Sequence, residues 1–149
     1  MATKTELLSK IDAAIATRTK AYDTHPESED LFSLFGDIVY KDDKEAFNAL
    51  IQAGADVNMQ NKYGETLLHI SIRRDRRKMV ETLLDANADM NRADAPGWTP
   101  LMECVMDDMP ELCALLIERG ADKSKANARG ATAAMLVQKF GRQSMAGML

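Results

Sequence analysis

The sequence predicts an all-α solenoid in which short helix-turn-helix units are stacked side by side. The segment GADVN at 54–58 returns as NADMN at 87–91 and as GADKS at 120–124, each time 33 residues later. A glycine followed two positions later by threonine has the same spacing, at Gly64, Gly97 and Gly130. Two independent markers that share one period in this range are typical of stacked repeats.

Each unit is predicted to contain a turn followed by two helices. Between the glycine marker and the next Ala-Asp segment, apolar residues follow the helical period, as in Leu67, Leu68, Ile70 and Ile72, and then in Met79, Val80, Leu83 and Leu84. Thr66 can cap the first helix through its hydroxyl group. Asn87 is expected to end the second helix in a left-handed conformation, as Gly54 and Gly120 do in other units.

These residues resemble the ankyrin repeat family. GETLLH and GWTPLM are similar to the family motif Gly-x-Thr-Pro-Leu-His, and VETLLDANADMN, LIQAGADVN and LIERGAD are similar to its second helix and loop. The resemblance begins at about Ser28 and continues to the C-terminus. Leu67 and Ala133 stand where the motif has proline, and Met102 and Met135 stand where it has histidine. The resemblance implies an ankyrin solenoid with short hairpin-like loops.

The period divides the chain into an N-terminal helix with a linker and four repeats. The boundaries are 1–27 for the helix and linker, then 28–60 (capping), 61–93, 94–126 and 127–149 (truncated, capping). Terminal repeats lack one neighbour and are expected to be atypical. Ser28 is expected to cap the first repeat. The stretch 5–22 is predicted as one helix that packs on this repeat, and the alternative is a helix that is flexible or binds a partner.

Composition and motifs favour a cytoplasmic protein without enzymatic activity, metal or cofactor. The chain has 149 residues, 46% of them hydrophobic and 28% charged, which is typical of one soluble domain. No apolar run is long enough to span a membrane. His25 precedes a proline in the linker, and His69 is expected to bond with nearby backbone or hydroxyl groups. Cys104 and Cys113 are expected to be buried free thiols.

The basic segment RRDRRK at 73–78 stands out because residues 23–60 carry nine acidic and two basic side chains. Three interpretations remain open, namely a protein-binding patch, a solvated surface and a nucleic-acid site. The net charge of −4 and the short length of the basic block make nucleic acid the weakest of the three.

The resemblance implies binding of another protein through the concave face, which turns and first helices form. This selects Tyr40, Tyr63, Glu65, Arg73, Arg74, Pro96, Trp98, Met106, Asp107 and Arg129. Trp98 is either an interface residue or a residue that packs across a neighbouring loop to stiffen the turns. The protein is expected to be a monomer on its own and to act as an adaptor, scaffold or inhibitor. The alternatives are a microbial effector or immunity protein that binds a host protein or a toxin, and a structural subunit of a larger assembly.

Overall fold

A computed structural model describes residues 2–149, and in this range the chain is all-helical, with no β-strand. The nine α-helices are α1 (Lys4–Lys10), α2 (Ala13–Ala21), α3 (Leu31–Lys41), α4 (Lys44–Gln52), α5 (Leu67–Arg73), α6 (Arg77–Asp85), α7 (Pro100–Met106), α8 (Pro110–Glu118) and α9 (Ala133–Phe140). A single 3-10 helix, Gln143–Met145, follows α9. The predicted all-α architecture is confirmed.

The helices form two stacked rows. The first helices of the units, α3, α5, α7 and α9, pack in that order, and α2, α4 and α6 form the second row. Helices α1 and α2 pack on each other, and α2 packs on α4, so this pair extends the stack at its N-terminal end. The apolar residues that face between the rows are buried, including Leu83 and Leu116, which are fully inaccessible to solvent.

Hydroxyl and carboxylate side chains begin the first helices. Thr66, Thr99 and Thr132 each accept a hydrogen bond from the backbone N–H three residues later, as predicted for Thr66. The expectation that Ser28 caps the first repeat is wrong. Asp30 caps α3 by accepting from the N–H of Ser33, because the helix begins directly after it. Ser28 accepts from the N–H of Asp30 at 3.0 Å.

The joint between the two helices of a unit uses a left-handed residue. Asp42, Asp75 and Asp108 have φ values of 54–55°, and Gly141 holds the corresponding place after α9. Asn87 also has a positive φ, 63°, after α6, as predicted from its position.

The turn glycines allow successive turns to touch. A Cβ on Gly64 would lie 2.8 Å from the backbone nitrogen of Ala95, and that nitrogen donates to the carbonyl of Tyr63 at 2.9 Å. The next turn repeats this geometry, since a Cβ on Gly97 would lie 2.8 Å from the nitrogen of Ala128. Glycine is therefore required at these positions by close approach as well as by its positive φ.

The outer loops are joined by a second series of bonds. The side chain of Asn58 accepts from the backbone N–H of Asp89 at 2.7 Å, and Asn91 accepts from Asp122 at 2.8 Å in the next unit. Lys125 donates to the carbonyl of Asn91 at 2.9 Å. Units 61–93 and 94–126 are thus tied to each other at both the turns and the outer loops. The first pair of units shares the loop bond, and the last pair shares the turn contact.

The predicted N-terminal helix is divided into two, because Asp12 caps α2 and interrupts the helical hydrogen bonds. Lys4, in α1, is buried and donates to Asp23 at 2.7 Å and to the carbonyl of His25 at 2.9 Å. Arg18, in α2, binds Asp43 through two nitrogens, at 2.8 and 3.0 Å. These contacts hold the N-terminal pair against the first repeat.

The carboxyl group of Asp43 is the centre of this contact. Its hydrogen bonds with the Arg18 guanidinium, and then with the Tyr22 hydroxyl, lower the pKa of Asp43 to about 2. Burial, together with the bond to Asp43, raises the pKa of Tyr22 to about 12. Asp43 also caps α4 by accepting from the N–H of Ala46.

Cys104 and Cys113 are buried free thiols, as predicted. Burial raises the pKa of Cys104 above its ordinary value and that of Cys113 to about 11. Both groups are therefore neutral at physiological pH. Across residues 2–149, none of the helices combines the length and the apolar character needed to cross a membrane.

Candidate functional site

The ten predicted binding residues all lie on the side of the stack that the turns and first helices form. Tyr63, Pro96 and Arg129 occupy equivalent places in three successive turns, and Glu65 and Trp98 lie two positions further along. The others lie at or just beyond the ends of first helices, namely Tyr40, Arg73, Arg74, Met106 and Asp107. Tyr40 and Tyr63 are each 59% exposed. The structure therefore brings the predicted residues to one side of the molecule.

Arg73 joins two repeats through ion pairs on this side. Its guanidinium binds the carboxylate of Glu65, in the turn of its own unit, and that of Glu103 on α7 at 2.7 Å. Hydrogen bonds from Asn61 and Arg73 hold the pKa of Glu65 below its ordinary value despite partial burial, which acts in the opposite direction. Both carboxylates are mostly covered, so they present little negative charge to a partner.

Asp107 lies beside Glu103 at the end of α7. Its Oδ2 atom is buried and has no hydrogen-bond partner among the residues that the structure describes. Burial, and then the charge of Glu103, raises the pKa of Asp107 to about 6. The carboxyl group of Asp107 therefore binds a proton more readily than an exposed aspartate does.

Most of the basic segment 73–78 is engaged within the chain. Arg76 donates to the carbonyls of Val39 and Tyr40 in the preceding unit, at 2.8 and 2.9 Å. Arg77 and Lys78 both pair with Glu81. Arg74 lies over the ring of Tyr40, 5.0 Å from its centre. Arg74 is thus the member of this segment whose charge is not matched by a carboxylate within residues 2–149.

Trp98 is half-buried, and its backbone fastens two units together. The Trp98 carbonyl accepts from Nε2 of His69 at 2.8 Å, while Nδ1 of His69 accepts from the N–H of Thr66 at 3.1 Å. Since a carbonyl can only accept, the His69 proton is on Nε2. Burial lowers the pKa of His69, which keeps the ring neutral. The His69 contacts match the structural role predicted for it.

The Trp98 side chain lines a groove between the last two units. This groove has a volume of about 480 Å³ and is called here the C-terminal groove. Its walls come from two turns and from α9, namely Pro96, Trp98, Arg129, Met135, Lys139 and Phe140, with Leu136 at its floor. Pro96, Trp98 and Arg129 were among the predicted residues.

Met135, Lys139 and Phe140 were missed by the sequence analysis. Lys139 comes 33 residues after Met106 and 66 after Arg73, so the repeat period that selected those two residues also points to it. Of the last unit, the sequence-based prediction includes only Arg129. The period alone could have found this residue.

Two further grooves lie towards the N-terminal end. One, called here the N-terminal groove, has a volume of about 570 Å³ and includes Glu29, Asp30 and Asp56, with no basic residue among the described residues of its walls. The other has a volume of about 600 Å³ and includes His25, Asp30 and Lys62 beside Tyr63. The lining charge of these three grooves therefore differs, with acidic residues in the N-terminal groove, both signs in the middle groove and basic residues in the C-terminal groove.

Comparison with known proteins identifies the repeat type. The family model described as "Ankyrin repeats (3 copies)" matches residues 36–127. No curated protein matches the chain significantly. Ankyrin repeats generally mediate protein–protein interaction and generally act without enzymatic activity. The resemblance seen in the sequence is confirmed, and the chain belongs to the ankyrin repeat family.

Proposed function

We propose that this protein is a non-enzymatic binding module that holds one partner protein on the concave face of its ankyrin stack, as an adaptor, scaffold or inhibitor. The turns and first helices form the concave side of such a solenoid. The partner covers the turn tips and the ends of the first helices.

One observation carries this proposal. The large hydrophobic side chains that are exposed within residues 2–149 all lie on turns or first helices, namely Tyr40, Tyr63, Met106 and Met135. The second helices α4, α6 and α8 contribute none of them. Exposed apolar and aromatic groups collected on one face are typical of a protein interface, where tyrosine often supplies much of the binding energy.

The experiment compares two double variants in an affinity purification from the source cells, followed by a binding titration. Tyr40→Ala with Tyr63→Ala removes the two most exposed aromatic rings of the concave face. Glu111→Ala with Glu118→Ala changes two exposed residues of the second helix α8. The tyrosine variant should lose at least ~2 kcal/mol of binding free energy, and the glutamate variant should bind as the parent does. Equal binding by both variants would exclude the concave face.

Trp98→Ala separates the two roles considered for this side chain. If Trp98 is an interface residue, the Trp98→Ala protein should lose ~2 kcal/mol or more of binding free energy. It should lose less stability than the Leu116→Ala protein does. A variant that binds normally but unfolds at a much lower denaturant concentration would assign the ring to the scaffold. Leu116→Ala serves as the reference for a loss of stability, because Leu116 is fully buried on α8.

A further inference from the structure

The C-terminal groove combines a large aromatic surface with two accessible cations. Trp98, Met135 and Phe140 supply its apolar walls, and Met135 is 55% exposed. Arg129 and Lys139 lie in the same walls, and both are exposed. No aspartate or glutamate lines the groove among the residues that the structure describes.

The charges of these two cations are not neutralised within the described residues. Seven of the nine arginines in the chain form ion pairs with carboxylates, and Arg129 does not. Lys139 contacts the Phe140 ring, 5.6 Å from its centre, and has no ion pair across residues 2–149. Both side chains can therefore pair with carboxylates that a partner brings.

Elsewhere on the concave face, Arg73 is already neutralised by the carboxylates of Glu65 and Glu103. Lys62 and Arg74 lie over the exposed rings of Tyr63 and Tyr40, 5.1 and 5.0 Å from the ring centres. This surface thus offers cations beside aromatic rings, although the chain as a whole has a net charge of −4.

We propose that the C-terminal groove binds a segment of the partner protein in which a large apolar side chain is flanked by aspartate or glutamate residues. The apolar side chain enters between Trp98 and Met135, and the flanking carboxylates pair with Arg129 and Lys139. The N-terminal groove rejects the same segment, because Glu29, Asp30 and Asp56 would repel its carboxylates. This inference rests on the proposed function and names the chemistry of the partner at one place on the same face.

The test selects short random peptides displayed on phage against the full chain and then titrates the enriched peptides in solution. Trp98 is the only tryptophan, so its fluorescence reports directly on the groove. The enriched peptides should carry an apolar residue flanked by acidic residues, change the Trp98 emission, and bind more weakly as ionic strength rises. Arg129→Glu with Lys139→Glu should weaken them by about tenfold or more.

A matched control reverses two exposed cations on the N-terminal helices, Lys10→Glu with Lys20→Glu, which changes the net charge by the same amount. This control should bind the peptides nearly as the parent does, since electrostatic effects at this distance are largely screened by salt. An equal loss in both charge-reversal variants would overturn the proposal. So would enrichment of neutral or basic peptides, or enrichment of none.

Two further outcomes separate this inference from the proposed function. If the partner from the source cells is lost with Tyr40→Ala and Tyr63→Ala but retained by Arg129→Glu with Lys139→Glu, the concave face binds it and the groove does not. If the Trp98 emission changes with protein concentration alone, a second copy of the chain occupies the groove. Either result would overturn the inference while leaving the concave face as a binding surface.

Discussion

The two described ends of the solenoid differ in the side chains that cover them. At the N-terminal end, α1 and α2 continue the stack, and the buried Lys4–Asp23 ion pair and the Arg18–Asp43 contact fasten them to it. At the C-terminal end, α9 is followed by one turn of 3-10 helix, and Met135 remains 55% exposed. One end is thus closed by charged groups, and the other presents apolar groups to solvent.

The difference shows that a residue at a given position of the repeat is buried or exposed according to whether a following unit packs on it. His69 and Met135 occupy the same position of their repeats, yet His69 is fully buried because the following turn covers it and supplies the Trp98 carbonyl. Gly64 would clash with the next turn if it carried a Cβ, whereas Gly130 faces open space. A residue in the last described unit is therefore free to serve as a binding surface.

Lys4→Met should have the largest effect on stability, because it removes the buried cation at the N-terminal end and leaves Asp23 without its charged partner. Removing one member of a buried ion pair costs about 3–5 kcal/mol. In urea denaturation, the circular dichroism transition should move to a lower urea concentration. Trp98 fluorescence, which reports on a central repeat, should change less.

Two variants check that the loss arises from the unpaired charge at Asp23. Lys10→Met makes the same change at an exposed position of α1 and should alter stability by less than about 0.5 kcal/mol. Adding Asp23→Leu to Lys4→Met should restore part of the stability, since the uncompensated charge is removed. A loss of similar size in Lys10→Met would contradict the assigned importance of the ion pair.

Met145→Ala tests the C-terminal end in the same assay. Met145 is fully buried where the 3-10 helix packs on α8 and α9, so truncation should cost about 2–4 kcal/mol. Met135→Ala removes the same atoms from an exposed site and should have little effect on stability. If the two methionine variants unfold alike, the 3-10 helix does not stabilise this end.

Arg76→Ala and Arg142→Ala test the two ends with the same change, because the two arginines make equivalent contacts near opposite ends. Arg142 donates to the carbonyls of Val105 and Met106 at 3.0 and 2.6 Å, as Arg76 does to those of Val39 and Tyr40. Each loss should cost about 1.5–3 kcal/mol. Hydrogen exchange should show faster opening of the last unit in Arg142→Ala, and of the first two units in Arg76→Ala. Exchange that increases at the same places in both variants would refute this assignment.

Asp107→Asn should give the smallest effect, and one that depends on pH. The pKa of Asp107 is raised to about 6, so the folded state binds more protons than the unfolded state between about pH 4 and 6. The parent protein should therefore lose stability relative to Asp107→Asn as pH rises through this range. The change should be about 1 kcal/mol after allowance for solvent screening. Thermal melts at several pH values measure it, and a difference between the two proteins that stays constant with pH would contradict it.

The sequence was sufficient to predict the repeat architecture, because the 33-residue period determines which residues cap helices, form turns and face the core. It did not predict the ends as well. The burial of Lys4 depends on Asp23 and His25, which reach it only through the fold. The break between α1 and α2 had a local signal, since aspartate is a common helix cap and Asp12 interrupts the stretch.

The candidate site was predicted in part. The period places the ten predicted residues at the turn tips and at the ends of the first helices, where the structure also has them. Their role in binding stays a prediction. The period could not show that Arg73 is already paired with Glu65 and Glu103, since ion pairs between repeats depend on side-chain geometry. The period also could not predict the groove around Trp98 and Met135, because this groove forms only where two units pack together.

The links between the outer loops have a mechanical consequence. Asn58 and Asn91 each hold the loop of the following unit, and these bonds join neighbours only. A pulling force on the two ends of the chain would therefore act on links arranged in series. These links would break one at a time, and units would leave the stack singly. Each unit of 33 residues would release about 110 Å of extended chain as it does so. The protein would lengthen in steps under tension while the remaining units kept their share of the concave face.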